Sequence, residues 1–287
     1  MIYIEPLFRP PAEADSLIFQ IAYGCPHNSC KFCGMYKQVN YRMRPENEVL
    51  TEISEAGKRN PQTDRVFLAD GDCMALSFKR LKTVLDALNT SFPRLSRVNL
   101  YANGSSILAK SRKELTELRL RKLSTLYLGL ESGSPRVLNL FAKKESPEAM
   151  TQAVQSAQEA GFRCSVMILI GLGGKELRGE HIEQTAKVLN RMQPRLLSAL
   201  RFIRIPFLPL PPDYTPVTEY EAVEELKEII ARLELNRTVF RANHTSNPIP
   251  LAGRFPHDKQ ILKRILTDQL ASGSLDRNGP GEVPLFL

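Results

Sequence analysis

The sequence predicts an α/β protein built on a parallel sheet, closed as a full or partial barrel or open as a doubly wound sheet, with a short C-terminal appendage. Two observations carry this. From residue 16 to 241, apolar β-branched runs of strand length alternate with amphipathic stretches of helix length, the pattern of repeated strand-helix units. The length of 287 residues, 43% hydrophobic and 24% charged, suits one large core, because barrels of such units use about 250 residues as a single domain.

Strands are expected at 17–22, 65–69, 98–101, 125–130, 165–170 and 197–205, with a seventh at 238–241. Helices are expected between them at 45–59, 78–89, 111–122, 147–160, 176–192 and 220–235. Pro45 and Pro147 suit first-turn positions, where a missing N–H costs nothing, and Gly161 suits a helix C-cap. The proline run at 206–216 directly follows a strand and reads as a loop over the sheet end. After 242 the chain reads as a loop, a helix at 259–270 and a Gly/Pro-bearing tail. The expected division is an extension at 1–15, a core at 16–241 and an appendage at 242–287. In a parallel sheet the ligand site lies at the C-terminal strand ends, so chemistry is sought there.

With 39 Lys+Arg against 31 Asp+Glu the formal charge is +8, which admits an anionic substrate, RNA included. The opening MIYIEPLFRPPAEADS lacks the zones of a secretory signal, and no run of 18 apolar residues occurs. A cytoplasmic protein with no membrane partner is expected. The five cysteines are an odd number, and Cys25, Cys30 and Cys33 fall within nine residues, poor spacing for a disulfide framework.

That cluster follows the first strand immediately: Gly24-Cys25-Pro26-His27-Asn28-Ser29-Cys30-Lys31-Phe32-Cys33-Gly34-Met35-Tyr36. Close-set thiolates suit tetrahedral zinc or an iron-sulfur cluster. Zinc needs a fourth protein ligand, yet no second Cys/His pair exists, His27 is crowded inside the loop, and Cys73 and Cys164 are isolated. The simpler account is a four-iron cluster on three cysteines, with one iron open to a non-protein ligand.

A three-cysteine loop after the first strand of a strand-helix repeat resembles the radical S-adenosylmethionine (radical SAM) enzymes over residues 16–241. The resemblance implies a small single-domain member with a partial (β/α)6 TIM-like barrel, a 4Fe-4S cluster and S-adenosylmethionine (SAM). In that family the open iron chelates the amino and carboxylate groups of SAM, and an injected electron cleaves it to methionine and a 5′-deoxyadenosyl radical. An aromatic residue before the last cysteine is typical, and Phe32 fits. The spacing here is C-x4-C-x2-C where most of the superfamily has C-x3-C-x2-C, a change of loop length and not of ligand number.

The resemblance extends to the strand ends. Asp70-Gly71-Asp72 stands where the family has a Gly-Gly-Glu-like turn for the SAM amino group; glycine permits close backbone approach and a carboxylate answers an ammonium. Gly129-Leu130-Glu131-Ser132 resembles the ribose or amino-acid-moiety acid of the elongator-like and coproporphyrinogen oxidase-like branch, so Glu131 and Ser132 are expected SAM contacts. Gly171 stands where adenine lies against a strand end. As a phosphate loop, Gly171-Leu172-Gly173-Gly174 lacks the Lys-Ser/Thr that should follow. Arg201 and Arg204 fall on opposite faces of the sixth strand; Arg204, nearer the mouth, is the candidate for a SAM or substrate carboxylate. Tyr101, Asn103 and His244 are candidate substrate contacts, and Cys73 and Cys164 read as small buried hydrophobes.

The expected function is an enzyme that cleaves SAM reductively and turns the radical on an anionic small molecule, with flavodoxin or ferredoxin as electron donor. The alternatives are tRNA or peptide modification by the same chemistry, or a noncatalytic metal- or RNA-binding protein.

Overall fold

The computed structural model describes residues 3–282. The tips of the expected extension and appendage, 1–2 and 283–287, lie outside the described residues. In chain order the strands are β1 Leu17–Gln20, β2 Ala22–Tyr23, β3 Arg42–Met43, β4 Arg65–Ala69, β5 Arg97–Tyr101, β6 Leu123–Glu131, β7 Arg163–Ile170, β8 Leu196–Arg201, β9 Thr238–Ala242 and β10 Leu251–Phe255. The α-helices are α1 Glu46–Arg59, α2 Phe78–Ser91, α3 Gly104–Leu108, α4 Arg112–Leu120, α5 Pro135–Leu140, α6 Pro147–Glu159, α7 Arg178–Met192, α8 Glu219–Arg232 and α9 Lys259–Ala271. Eight strands form one mostly parallel sheet ordered β1-β4-β5-β6-β7-β8-β9-β10. The fold is α/β, as expected. Among the described residues no helix is long and apolar enough to cross a membrane.

The chain divides into two compact units, 1–29 with 33–128 and 152–164, and 30–32 with 129–151 and 165–287. In the first, β1, β4, β5 and β6 pair in parallel, with Leu17 opposite Val66, Val66 opposite Val98 and Leu100 opposite Leu126. Their residues are buried on both faces, as a parallel sheet covered by helices requires. Helix α2 turns Leu81, Val84, Leu85 and Leu88 inward, a single stripe at 3.6-residue spacing. Each such side chain contributes roughly 1.5–3 kcal/mol by leaving water. Ser77 caps this helix, and Ser111 and Glu114 form a reciprocal capping box on α4. Beneath the sheet Glu13, 3% exposed, accepts from Asn99 Nδ2 at 2.8 Å, Ser16 Oγ at 2.6 Å and the Tyr127 hydroxyl. Both oxygens of this buried acid are satisfied, which keeps its burial affordable.

In the second unit β7, β8 and β9 continue in parallel and β10 returns antiparallel to β9. Thr218 and Glu221 box the start of α8. Two expectations are corrected here. The sixth strand, expected to reach residue 205, ends at Arg201; the Phe202 N–H still donates to the Ile170 carbonyl at 2.8 Å, but Pro206, Pro209, Pro211 and Pro212 supply no donors to prolong a ladder. The stretch after 242, expected as a loop, contains β10, whose burial alternates strictly. Gly253 and the flanking prolines hid that period.

Candidate active site at the strand ends

All five cysteines are thiols, with Cys25, Cys30 and Cys33 partly exposed and Cys73 and Cys164 buried. The cysteine loop leaves β1 through β2, which pairs with β3 in a small antiparallel ribbon. Inside the loop the Ser29 N–H donates to the His27 carbonyl at 2.8 Å. Asn28 Nδ2 donates to the Tyr36 carbonyl at 2.6 Å, and Lys37 Nζ donates to the Asn28 carbonyl at 2.6 Å.

In the first unit this loop is pinned to the turn after β4. The Gly71 N–H donates to the Gly24 carbonyl at 3.0 Å. A side chain on Gly71 would fall onto Cys25 Cβ and lie 2.8 Å from its sulfur, so only glycine lets the acidic turn sit against the first thiol. On either side stand two buried acids. Asp70, at φ +80°, accepts from Gln20 Nε2 at 3.1 Å on one oxygen; the other has no partner. Burial raises its pKa to about 7, against the pull of its hydrogen-bond donors. Asp72 pairs one oxygen with His27 Nε2 at 3.0 Å and with the Ser106 hydroxyl, and its second is likewise unpartnered. The Tyr36 hydroxyl is buried facing the Asp70 carboxyl; burial and the charge of Asp70 push its pKa up.

In the second unit Glu131 ends β6 at φ +64°, 5% exposed, with one carboxylate oxygen unpartnered. Burial raises its pKa to about 7, opposed by the charge of Lys143. A side chain on Gly129 would collide with Glu131 Oε1, so the acid folds back over a glycine. The Ser132 hydroxyl is engaged with His181 Nδ1 at 2.8 Å and the Ser134 N–H at 3.0 Å. Gly171 donates its N–H to Glu225 Oε1 at 2.6 Å and accepts from the Tyr214 hydroxyl at 2.7 Å. Phe32 packs on Phe141, centroids 6.2 Å apart, within the apolar cluster of Val137, Phe141, Leu172 and Tyr214. The Lys31 N–H donates to the Phe141 carbonyl at 2.8 Å.

Arg204 lies past the end of β8 and is exposed, which corrects its expected place within a strand. Arg201 is the buried member of the pair, donating to the carbonyls of Pro280 at 2.6 Å and Glu282 at 3.1 Å. Tyr101 packs edge-on against Phe67 at 5.1 Å and Tyr127 at 6.1 Å. Asn103 precedes α3 without capping it. His244 shares a turn with Ser246, Nδ1 to Oγ 2.9 Å, and burial lowers its pKa. Cys73 donates to the Ala69 carbonyl at 2.8 Å. Tyr36, Gln20, His181 and Glu225 were not anticipated. Tyr36 stands three residues past Cys33, a local cue; the helix residues had none.

Among the described residues no three His, Cys, Asp or Glu side chains gather as a single-ion site. A four-iron cluster takes one thiolate per iron, so its ligands stand apart. The orphaned oxygens of Asp70 and Asp72, beside a glycine cradle against Cys25, fit a cofactor that presents donors next to the cluster.

The Radical SAM superfamily profile matches residues 19–189, more than half of the chain, and the chain belongs to that superfamily. It is an enzyme, and the cofactors of the superfamily are a 4Fe-4S cluster and SAM; an electron donor and a substrate complete the set its members need. The chain is 30% identical over 190 residues to the uncharacterized methyltransferase PH0819 of Pyrococcus horikoshii, covering 63% of this chain and 38% of that one. It resembles the radical SAM coproporphyrinogen III oxidase HemN of Escherichia coli, at TM-score 0.59 and 18% identity over 75% of this chain and 51% of the other. It also resembles the radical SAM methyltransferase TsrM of Kitasatospora setae, whose structure holds cobalamin and a [4Fe-4S] cluster, at TM-score 0.55 and 15% identity over 88% and 52%. These likenesses show the fold. The chain spans 38% of the curated relative's length and about half of each solved chain.

Proposed function

We propose that Cys25, Cys30 and Cys33 ligate the 4Fe-4S cluster and leave one iron to SAM, which the enzyme cleaves reductively to act on a small anionic substrate. Held by these three thiolates, the cluster would supply one electron for reductive cleavage of the SAM sulfonium and so start radical chemistry on the substrate.

The protein's own groups bind and orient. Asp70 and Asp72 each offer an unpartnered oxygen for the SAM ammonium, with the Gly71 backbone between them. Glu131 accepts from ribose hydroxyls or the ammonium, and its turn supports the elongator-like and coproporphyrinogen oxidase-like branch. Ser132 braces that turn, the Gly171 strand end backs the adenine, and Phe32 seats the loop on an apolar cluster. Tyr101, Asn103 and His244 are the candidate substrate contacts. The charge of +8 supports an anionic substrate and an acidic electron carrier of the flavodoxin or ferredoxin kind.

One observation carries the reading: the Cys25 thiol packs on Gly71 between two buried acids that each keep an oxygen unpartnered. The test is anaerobic reconstitution followed by reduction with dithionite. Uptake of about four irons per chain and release of 5′-deoxyadenosine from SAM are expected; stoichiometric zinc without SAM cleavage would overturn the reading. A second reading, transfer of the SAM methyl group, is favoured by the likeness to the 30% identical uncharacterized methyltransferase. Methylated product with a matching yield of S-adenosylhomocysteine distinguishes it.

A further inference from the structure

Three consecutive positions of the turn that follows Glu131 are each held by a side chain of α7. Ser132 Oγ meets His181 Nδ1 at 2.8 Å, the Gly133 N–H donates to Thr185 Oγ1 at 2.9 Å, and Ser134 Oγ donates to Glu180 Oε1 at 2.5 Å. His181 also reaches α8. Its Nε2 lies 3.4 Å from Glu225 Oε1 without a hydrogen bond between them, and that oxygen accepts the Gly171 N–H at 2.6 Å. One imidazole therefore stands between the Glu131 turn, which it hydrogen-bonds, and the acid of α8 that holds the Gly171 strand end.

Serine, imidazole and carboxylate in a row invite comparison with a nucleophile relay. Here Ser132, His181 and Glu225 are all 0% exposed, and Ser132 Oγ already accepts the Ser134 N–H at 3.0 Å. No substrate reaches the hydroxyl. What the row does is hold geometry: Glu131 sits at φ +64°, a conformation that persists only where its surroundings over-determine it. The imidazole is held on its Nδ1 side, by the Ser132 hydroxyl at 2.8 Å with Thr185 Oγ1 at 3.4 Å, and its Nε2 side faces the buried Glu225 carboxyl.

We propose that His181 is a positioning residue for the cofactor, fixing the Glu131 turn by bonding Ser132 from a ring whose far side faces Glu225. This rests on the reading of Glu131 as a SAM contact. Its consequence is that SAM affinity depends on a side chain with no path to the ligand.

The test measures SAM binding by equilibrium dialysis on anaerobically reconstituted protein, with iron content and thermal melting recorded alongside. His181→Ala should weaken SAM binding about tenfold while iron content holds, and His181→Asn, which restores a polar group near Nδ1, should recover part of the loss. Ser132→Ala removes one hydroxyl and serves should His181→Ala fail to fold; a similar weakening is expected. Because His181 acts through Glu131, the Ser132→Ala/Glu131→Gln double variant should bind SAM no worse than Glu131→Gln alone. Native affinity in Ser132→Ala or His181→Ala, or strict additivity in the double variant, would overturn the inference while leaving the Glu131 reading intact. Native affinity in Glu131→Gln would instead sink that reading, and this inference with it.

Discussion

Asp70 and Glu131 close two strands in the same uncommon way: each is a buried acid at a left-handed backbone angle, +80° and +64°, and each leaves one carboxylate oxygen without a protein partner. A residue bearing a Cβ gives up roughly 1–3 kcal/mol in such a conformation, and an unpaired buried oxygen costs more. Two strand ends that retain both penalties are built to receive donors from outside the chain.

The strained acid at the end of β6 makes stability depend on pH. Burial raises the Glu131 carboxyl from 4.5 to about 7, so between those values the unfolded chain ionises first and rising pH draws the equilibrium toward it. The neutral form, in which this group imposes no penalty, is fully present below the unfolded pKa. Thermal melting of cofactor-free protein should therefore show Glu131→Gln gaining on the native protein from pH 5 to pH 8. A difference that is flat across this window would refute the assignment.

Cluster assembly should separate the cysteines into two sets. Replacing Cys25, Cys30 or Cys33 by Ala should abolish stable iron uptake and SAM cleavage. Cys73→Ala and Cys164→Ala should keep the iron of the native protein, since both thiols are buried and burial raises their pKa, that of Cys164 to about 12. Iron analysis after reconstitution decides the matter.

Gly71→Ala puts a methyl group onto Cys25. Relief requires Cys25 or the Asp70–Asp72 turn to move, at about 1–3 kcal/mol for overpacking. Iron content below half of native with an unchanged far-ultraviolet dichroism spectrum is the expected outcome; full iron loading would contradict the contact.

The two arginines of the β8 end should part company. Arg204 is exposed, and Arg204→Ala should leave melting within about 0.5 kcal/mol of native and SAM affinity unchanged. Arg201→Ala deletes the donors to Pro280 and Glu282, worth roughly 1.5–3 kcal/mol each as bonds from a charged group. Limited proteolysis should then cut within 276–282 in the variant and not in the native protein.

Most of this architecture was legible in the sequence because buried parallel strands read as continuous apolar runs: 65–69 was placed to the residue, and Leu123–Glu131 and Arg163–Ile170 within two residues at either end. Leu251–Phe255 was not, because Gly253 and its bordering prolines carry loop signals that tertiary pairing with β9 overrides. The thiol loop, the Asp70–Asp72 turn and Glu131 were visible since each follows a strand at once. His181 and Glu225 were invisible: each is one polar residue on an amphipathic helix, and only folding reveals that it faces inward. Arg204 was misplaced because alternation of apolar and basic residues continues past Arg201 while the prolines that follow deny it a partner.

The hydrogen bond from the Gly71 N–H to the Gly24 carbonyl anchors the thiol loop at its first cysteine. The four residues between Cys25 and Cys30 lie downstream of that anchor, and the chain doubles back among them where the Ser29 N–H meets the His27 carbonyl. A change of length in that stretch would leave the Gly71–Gly24 bond in place, and with it the mooring of the foremost thiol.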